Sequence, residues 1–509
     1  MKSHGGDEGT GGITTLPSLE EIALDEPDLD LSLDPENIVE AAEQLLREGA
    51  PHDFDVLVIG AGPGGLAAAQ SAAQGGLHTA IIEEREIGGV CLNRGCIPTK
   101  TLLESIGVLR MLRRAKNFGI DVLGETKPDF VAMHARKVEV VSHLRDQAQE
   151  VLEEAGVEQI EGKARFVEAH TIEVEKNGQV RRITAVHIII ATGGKPTRLP
   201  IPGNDLPGVV TSDEILEQTA IPRNLVVAGA GAIGVEFASI FAELGCKVTI
   251  LEKADTVLPG EDEDIQREMT SSLAEMGIEL LTGVSIGSID AQNGGFGLNF
   301  EHQGTARTIL TDQVLLAAGR EANIVNLDLE KVRIEVVDGK IWVDEEKQTS
   351  VSGVYAIGDC IRRVGWAHQA AMEGRDVAFT ILGQKSEIDT RFVPTCYYTF
   401  PEVASVGLTL KNAQELGIDA TSGRFSFRSN GRAATTGDNG GFVKLVIERE
   451  TARLLGCQII GPRATEMINE VSLALRNGAS AEVFVDSLHA HPSFAEVLPG
   501  AARAALASL

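Results

Sequence analysis

From Asp53 onward the chain alternates solid apolar runs with glycine clusters and alanine-rich stretches at helical spacing. Residues 53–83, DFDVLVIGAGPGGLAAAQSAAQGGLHTAIIE, predict strand, glycine turn, helix and strand in that order. Residues 224–252, NLVVAGAGAIGVEFASIFAELGCKVTILE, repeat the pattern. In each copy 23 residues separate the first glycine (Gly60, Gly229) from a glutamate (Glu83, Glu252) at the end of the second strand. The fold class is therefore α/β, built on two Rossmann-like βαβ units. Residues 101–160 read as mostly helical, and 161–193 as short strands ending in HIIIATGG. Strands return over 278–318, ending in QVLLAAGR, and again in GVYAIGD within 341–359. From about residue 390 hairpin-like strands take over, with helices at 465–477 and near the end, which predicts a separate α+β domain.

Residues 1–51 have a different character. The first 50 carry 13 acidic and two basic residues and read as an acidic arm. Asp34-Pro35 opens one amphipathic helix through Ile38, Val39, Ala42, Leu45 and Leu46, ending near Gly49. Such a helix either packs on the chain's own body, the preferred reading, or docks on a larger assembly.

Composition narrows the function. A net charge of −29 repels phosphate backbones and anionic membranes, so nucleic acid is not an expected partner. Six cysteines in 509 residues are too few for a disulfide-stapled secreted protein. No uncharged apolar run reaches the length of a membrane span, and the N-terminus lacks a signal-peptide pattern. A cytoplasmic location is the expectation.

The glycine loops carry the first chemistry. In Gly60-x-Gly62-Pro63-Gly64-Gly65, Gly60 makes the turn, Gly62 admits a pyrophosphate, and Gly65 lets helix and strand close up. The helix N-terminus then faces the phosphates, and Glu83 accepts the ribose hydroxyls. Gly229, Gly231, Ala232, Ile233 and Gly234 with Glu252 repeat the arrangement. A glutamate at 252 favours NAD over NADP, because it accepts a 2′-hydroxyl and repels a 2′-phosphate. Two dinucleotide sites suggest a flavin and a nicotinamide.

Cys91 and Cys96 follow the first unit, in IGGVCLNRGCIPTK. No second cysteine or histidine pair lies at finger spacing, so zinc is not expected and no metal site is assigned. Either the two form a redox-active disulfide or they are inert buried thiols. Pro98 and a helical run beginning near Lys100 put Cys96 near a helix N-terminus, which favours a thiolate. In HAHPSFAE, Glu496 is placed to hold His491 as a general base, although from the residues alone a pair of ordinary histidines is the preferred reading. Lys100 and Glu236 are either a pair near a flavin or a surface pair. Cys246, Cys360, Cys396 and Cys457 sit in apolar patterns as core residues.

Together GAGPGG, GGVCLNRGCIPTK, ATGGKP, GAGAIGVE, AAGREAN, GVYAIGDC, YTFPEVASVG, NGRAATTGDNGGFVK and HAHPSFAE, in this order from Asp53 to the C-terminal region, resemble the pyridine nucleotide–disulfide oxidoreductases. The resemblance implies an FAD-binding domain in two parts (52–200 and 326–389), an NAD-binding domain (201–325) and a dimerisation domain (390–509). It implies that Cys96 faces the flavin, that Cys91 exchanges with substrate, and that His491 with Glu496 serves the other subunit of a homodimer. Lys100, paired with Glu236, would lie near the flavin. Ala164, Thr192, Gly193, Asp359 and Ala367 would join the FAD site, and Val284, Ala317, Gly319 and Arg320 the NAD site. The implied reaction oxidises protein-bound dihydrolipoyl groups and reduces NAD; the alternative is NADH-dependent reduction of another small disulfide. The implied partner is a lipoyl-bearing acyltransferase (E2) of a 2-oxo acid dehydrogenase complex or the lipoyl protein of glycine cleavage. Arg94 stands at a variable position and receives no role. Residues 1–50 are too short for a lipoyl domain, with Lys2 their only lysine.

Overall fold

The computed structural model describes residues 52–292, 294–362, 365–384 and 391–509. The acidic arm and its expected helix lie outside the described residues. Phe54–Ile59 pairs in parallel with Thr79–Glu83 on one side and with the second half of Gln179–Ile190 on the other. Glu158–Glu161 and Val354–Ala356 extend the parallel region at either edge. Both faces of this sheet are covered, which is why its strands read as unbroken apolar runs. Gln179–Ile190 is one long strand, and its polar first half pairs antiparallel with Thr171–Lys176, itself paired with Lys163–Glu168. The chain thus returns to its first sheet at Val354, after the second βαβ unit is complete.

The second unit forms its own parallel sheet in the order Glu279–Leu281, Lys247–Leu251, Asn224–Ala228, Gln313–Leu316 and Val209–Thr211. A three-stranded antiparallel layer, Val284–Gln292, Gly295–His302 and Thr305–Thr311, follows it. The C-terminal part is a five-stranded antiparallel sheet with Ala464–Arg476 and Val497–Leu506 packed against it.

One core cluster ties the parts together. Leu102, Leu103 and Ile106 meet Phe237, Ile240, Phe241 and Leu244 of the second unit's helix, Ala232–Glu243, and Val403, Phe442 and Ile460 of the C-terminal sheet. Each such side chain contributes about 2 kcal/mol through burial, so the segment that follows the cysteines is fixed to the second βαβ unit and to the C-terminal sheet. In the first unit Pro63–Gln74 packs on Ala367–Ile381 at glycine contacts. A Cβ on Gly374 would sit 2.2 Å from the Gly64 carbonyl oxygen.

Candidate active site

The cysteine segment is seated on the first glycine loop. Gly89 has φ +57°, and a Cβ there would lie 2.7 Å from the Gly62 Cα. Asn93 Nδ2 donates to the carbonyls of Ile87 and Gly89, both at 2.9 Å, which fixes the short helix Gly89–Arg94 holding Cys91. Gly95 breaks that helix, and the redox helix, Cys96–Arg114, begins at Cys96 itself. Pro98 lies inside its first turn, where a missing N–H costs no hydrogen bond. The helix therefore starts four residues before the position expected from the pattern.

The two sulfurs are free thiols in hydrogen-bond contact, and they are unequal. The Cys91 hydrogen bond, with help from the Lys100 charge, lowers the Cys96 thiol to about 7. The same bond, then burial, pushes Cys91 well above the ordinary thiol range. The favoured reduced form is thus a Cys96 thiolate accepting from a Cys91 thiol, at a helix N-terminus that stabilises negative charge.

Lys100 Nζ lies 2.8 Å from both oxygens of Glu236, and Glu236 is only 5% exposed. The backbone N–H of Tyr398 also donates to Glu236 at 3.0 Å, and the ammonium sits 4.5 Å from the Tyr398 ring centre. This is an interior junction of the redox helix, the second βαβ helix and the C-terminal domain.

The two dinucleotide loops match in detail. Glu83 accepts from the Ala61 and Arg85 N–H groups at 2.7 and 2.9 Å. Glu252 accepts from the equivalent Ala230 and Ala254 N–H groups at 2.5 and 2.7 Å. Each glutamate therefore clamps its own loop from the end of the second strand. A Cβ on Gly65 or Gly234 would lie 1.9 Å from the Gly60 or Gly229 carbonyl oxygen, so packing demands glycine there. Gly62 and Gly231 differ. Their φ angles, −75° and −77°, suit any residue, and a Cβ would meet no protein atom within 4 Å. Space left beside a helix N-terminus is what a bound pyrophosphate requires.

Gly60, Glu83, Ala164 and Thr192 line one cavity with Asn323 and Leu327, and the Thr192 hydroxyl is buried without a partner. The residues present thus fit FAD at the first loop and NAD at the second. Gly193 holds the edge of the first site in a left-handed turn (φ +67°), and its carbonyl accepts from Asn323 N–H. Ala367 is the first residue of a 15-residue helix. At the second loop the Ala317 N–H bonds the Ala228 carbonyl, Gly319 has φ +106°, and the buried Val284 donates its N–H to the Glu252 carbonyl.

Arg320, expected in the NAD site, pairs with Asp359, expected in the FAD site. Its Nε lies 3.4 Å from Asp359, and its Nη2 donates to the Gly194 carbonyl across the strand pair Arg320–Ala322 and Gly194–Pro196. Burial raises the Asp359 carboxyl, and Arg320 opposes the shift. Glu373, 1% exposed, accepts the Gly358 N–H at 3.0 Å and pairs with Arg362, which fixes the turn that carries Asp359. Nothing within short range of Glu373 in the sequence signals this contact.

His491 Nδ1 donates to Glu496 at 2.8 Å. The bond from His491, then that from the Ser493 N–H, lowers the Glu496 carboxyl. The His491 side chain is 79% exposed, on the opposite kind of surface from the half-buried cysteines.

Two dinucleotide loops beside an asymmetric cysteine pair define a flavin- and nicotinamide-dependent disulfide oxidoreductase. The chain belongs to the pyridine nucleotide–disulphide oxidoreductase family, matching it over residues 54–374 and matching its dimerisation domain over 393–502. Among its relatives, the dihydrolipoyl dehydrogenase of Geobacillus stearothermophilus is 36% identical over 461 residues, covering 89% of this chain and 96% of that protein. That of Chlamydia muridarum is 38% identical over 448 residues, covering 87% and 95%. Among solved structures, LpdA of Mycobacterium tuberculosis (TM-score 0.82) and the HOCl-induced flavoprotein disulfide reductase RclA of Escherichia coli (TM-score 0.79) are each 30% identical, covering 88% of this chain and 99% of theirs. Among the described residues no helix is long and apolar enough to cross a membrane, and no group of three or more His, Cys, Asp or Glu side chains could hold a metal ion.

Proposed function

We propose that the chain oxidises protein-bound dihydrolipoyl groups and reduces NAD, as a homodimer that binds FAD through 52–200 and 326–389, NAD through 201–325 and its second copy through 390–509. The observation that carries this reading is the unequal placement of the two sulfurs: Cys96 opens the helix Cys96–Arg114 one turn before the Lys100 ammonium, whereas Cys91 lies in the preceding short helix. Attack on the Cys91 sulfur expels Cys96, the lower-pKa and therefore better leaving group. The relatives named dihydrolipoyl dehydrogenase support the substrate class.

His491 of the partner subunit, its Nδ1 held by Glu496, takes the proton of one substrate thiol on Nε2. The resulting thiolate attacks Cys91, the Cys91–Cys96 bond breaks, and Cys96 leaves with the electron pair. The second substrate thiol attacks the substrate sulfur of the mixed disulfide and gives its proton to the departing Cys91 sulfur. Lipoyl disulfide departs, and Cys91 takes up a proton to become the thiol that donates to the Cys96 thiolate. FAD, when bound, supplies the two-electron acceptor that reoxidises this pair on the way to NAD. Lys100 keeps positive charge next to the Cys96 thiolate, and Glu236 holds the ammonium in place.

A lipoyl-bearing acyltransferase or the lipoyl protein of glycine cleavage is the proposed partner, and the cytoplasm, where the free thiols stay reduced, the proposed location. The test measures NADH formation from dihydrolipoamide and NAD. Substitution His491→Ala should abolish it and leave NADH-to-dye transfer intact; equal loss of both would refute the role of the base. The similarity to RclA supports a second reading, NADH-dependent reduction of another small disulfide. A higher kcat/KM on such a substrate than on lipoamide would favour it.

A further inference from the structure

The loop that carries His491 has no helix or strand between Ser487 and Glu496, so its geometry must be fixed from outside. Glu496 has two oxygens with two separate donors: His491 Nδ1 on Oε1 and the Ser493 N–H on Oε2, both at 2.8 Å. The next peptide, on the far side of the Ser493 Cα, is also held. Asn430 Nδ2 donates to the Ser493 carbonyl oxygen at 2.9 Å. Asn430 is 4% exposed and 63 residues away in sequence. Its Oδ1 accepts the Ala433 N–H at 2.9 Å and caps the short helix Gly431–Thr436. Arg114, the last residue of the redox helix, donates to the Thr436 and Gly437 carbonyls at the far end of that short helix. Asn430 is therefore held in a fixed frame and presents one amide hydrogen to the loop of the base.

We propose that Asn430 is a positioning residue for the general base. By clamping the Ser493–Phe494 peptide it fixes the backbone at Ser493, and with it the direction of the preceding Pro492–Ser493 N–H toward Glu496, and so turns the other carboxylate oxygen toward His491. The carboxylate in turn keeps the proton on Nδ1 and leaves Nε2 free to accept one from the substrate. Without the clamp the backbone at Ser493 can rotate, and the base loses its orienting group while keeping its own side chain. The proposal rests on the reading of His491 as the base.

The capping and clamping roles of Asn430 separate by substitution. Asn430→Asp and Asn430→Ser both keep an acceptor for the Ala433 N–H and both lose the donor to Ser493. In the FAD-loaded dimer each should lower kcat for dihydrolipoamide oxidation about tenfold, with KM within about twofold of wild type. NADH-to-dye transfer should stay at wild-type values in both, and the melting temperature should stay at its wild-type value in Asn430→Ser, which buries no charge. In a Glu496→Gln background the same substitutions should cost less than about twofold more, because the clamp acts through Glu496. A wild-type kcat in both variants would overturn the proposal. So would a loss that simply multiplies with that of Glu496→Gln, or a shared fall in melting temperature and dye activity, which would mark Asn430 as structural. A wild-type enzyme inactive on dihydrolipoamide would instead refute the proposed function, and an active one with unaffected Asn430 variants refutes this inference alone.

Discussion

The Lys100 ammonium stands 2.8 Å from both carboxylate oxygens of Glu236, one helical turn beyond Cys96, and its charge favours the thiolate of that cysteine. Substitution Lys100→Met removes that charge and leaves Glu236 buried without its cation. The Cys96 titration of the reduced enzyme, followed by thiolate ultraviolet absorbance, should move upward from about 7. Stability should fall by about 3 kcal/mol, the cost of one uncompensated buried charge. An unmoved titration would separate Lys100 from the sulfurs.

Stability of the reduced enzyme should depend on pH in a sense set by the two unequal sulfurs. An ordinary thiol titrates at 9.0, Cys96 at about 7, and Cys91 far higher. Between these first two values the unfolded chain binds two thiol protons and the folded chain one, so stability rises with pH. Above 9 the unfolded chain loses both while the folded chain keeps that of Cys91, so stability falls. Urea unfolding of reduced minus oxidised enzyme should peak near pH 9, on the order of 2 kcal/mol above its value at about pH 6. A difference that stays flat across this range would contradict the thiolate assignment.

What could be read from the chain before its structure was the chemistry confined to short windows. The glycine loops, the cysteine pair and HAHPSFAE each hold their working atoms within a few residues. Long-range polar contacts leave no such trace. Arg320 reads as part of the AAGREAN motif, yet its partner Asp359 lies in another domain. Asn430 reads as one residue of a glycine-rich stretch, and only folding brings it to Ser493. The choice between a surface and an interior pair for Lys100 and Glu236 depended on helix packing through Leu102, Leu103 and Ile106, which periodicity cannot aim at a particular partner. Gln179–Ile190 reads as short strands because its first four residues, QVRR, are exposed and half of them charged; the antiparallel pairing that lengthens it is a tertiary event.

The two glycines of the second loop should respond oppositely to alanine. At Gly231 an added Cβ meets no protein atom, so Gly231→Ala should leave the melting temperature unchanged while raising the KM for NADH at least about tenfold, by crowding the pyrophosphate. At Gly234 the Cβ would lie 1.9 Å from the Gly229 carbonyl oxygen, so Gly234→Ala should depress melting itself. A Gly231→Ala enzyme with wild-type KM would remove the ligand-based reason for that glycine.

Arg94, between the two cysteines, ties their loop to Glu86 and to Asp213. Its Nη1 lies 2.5 Å from Glu86 and its Nε 3.7 Å from Asp213, in the short helix Ser212–Ile215 beside the second sheet. Its side chain is 18% exposed, so valine there would leave Asp213 and Glu86 without their shared cation. Lys137 makes a parallel link from the flavin-side helix Phe130–Glu154, donating to the Leu216 carbonyl at 2.7 Å, so the domains should stay docked. Substitution Arg94→Val should therefore cost about 1–2 kcal/mol, the range for a partly buried charged hydrogen bond. Faster amide exchange should be confined to 86–94 and 212–217. Exchange that instead rises throughout the second sheet would mean that Arg94 holds the whole domain rather than one loop.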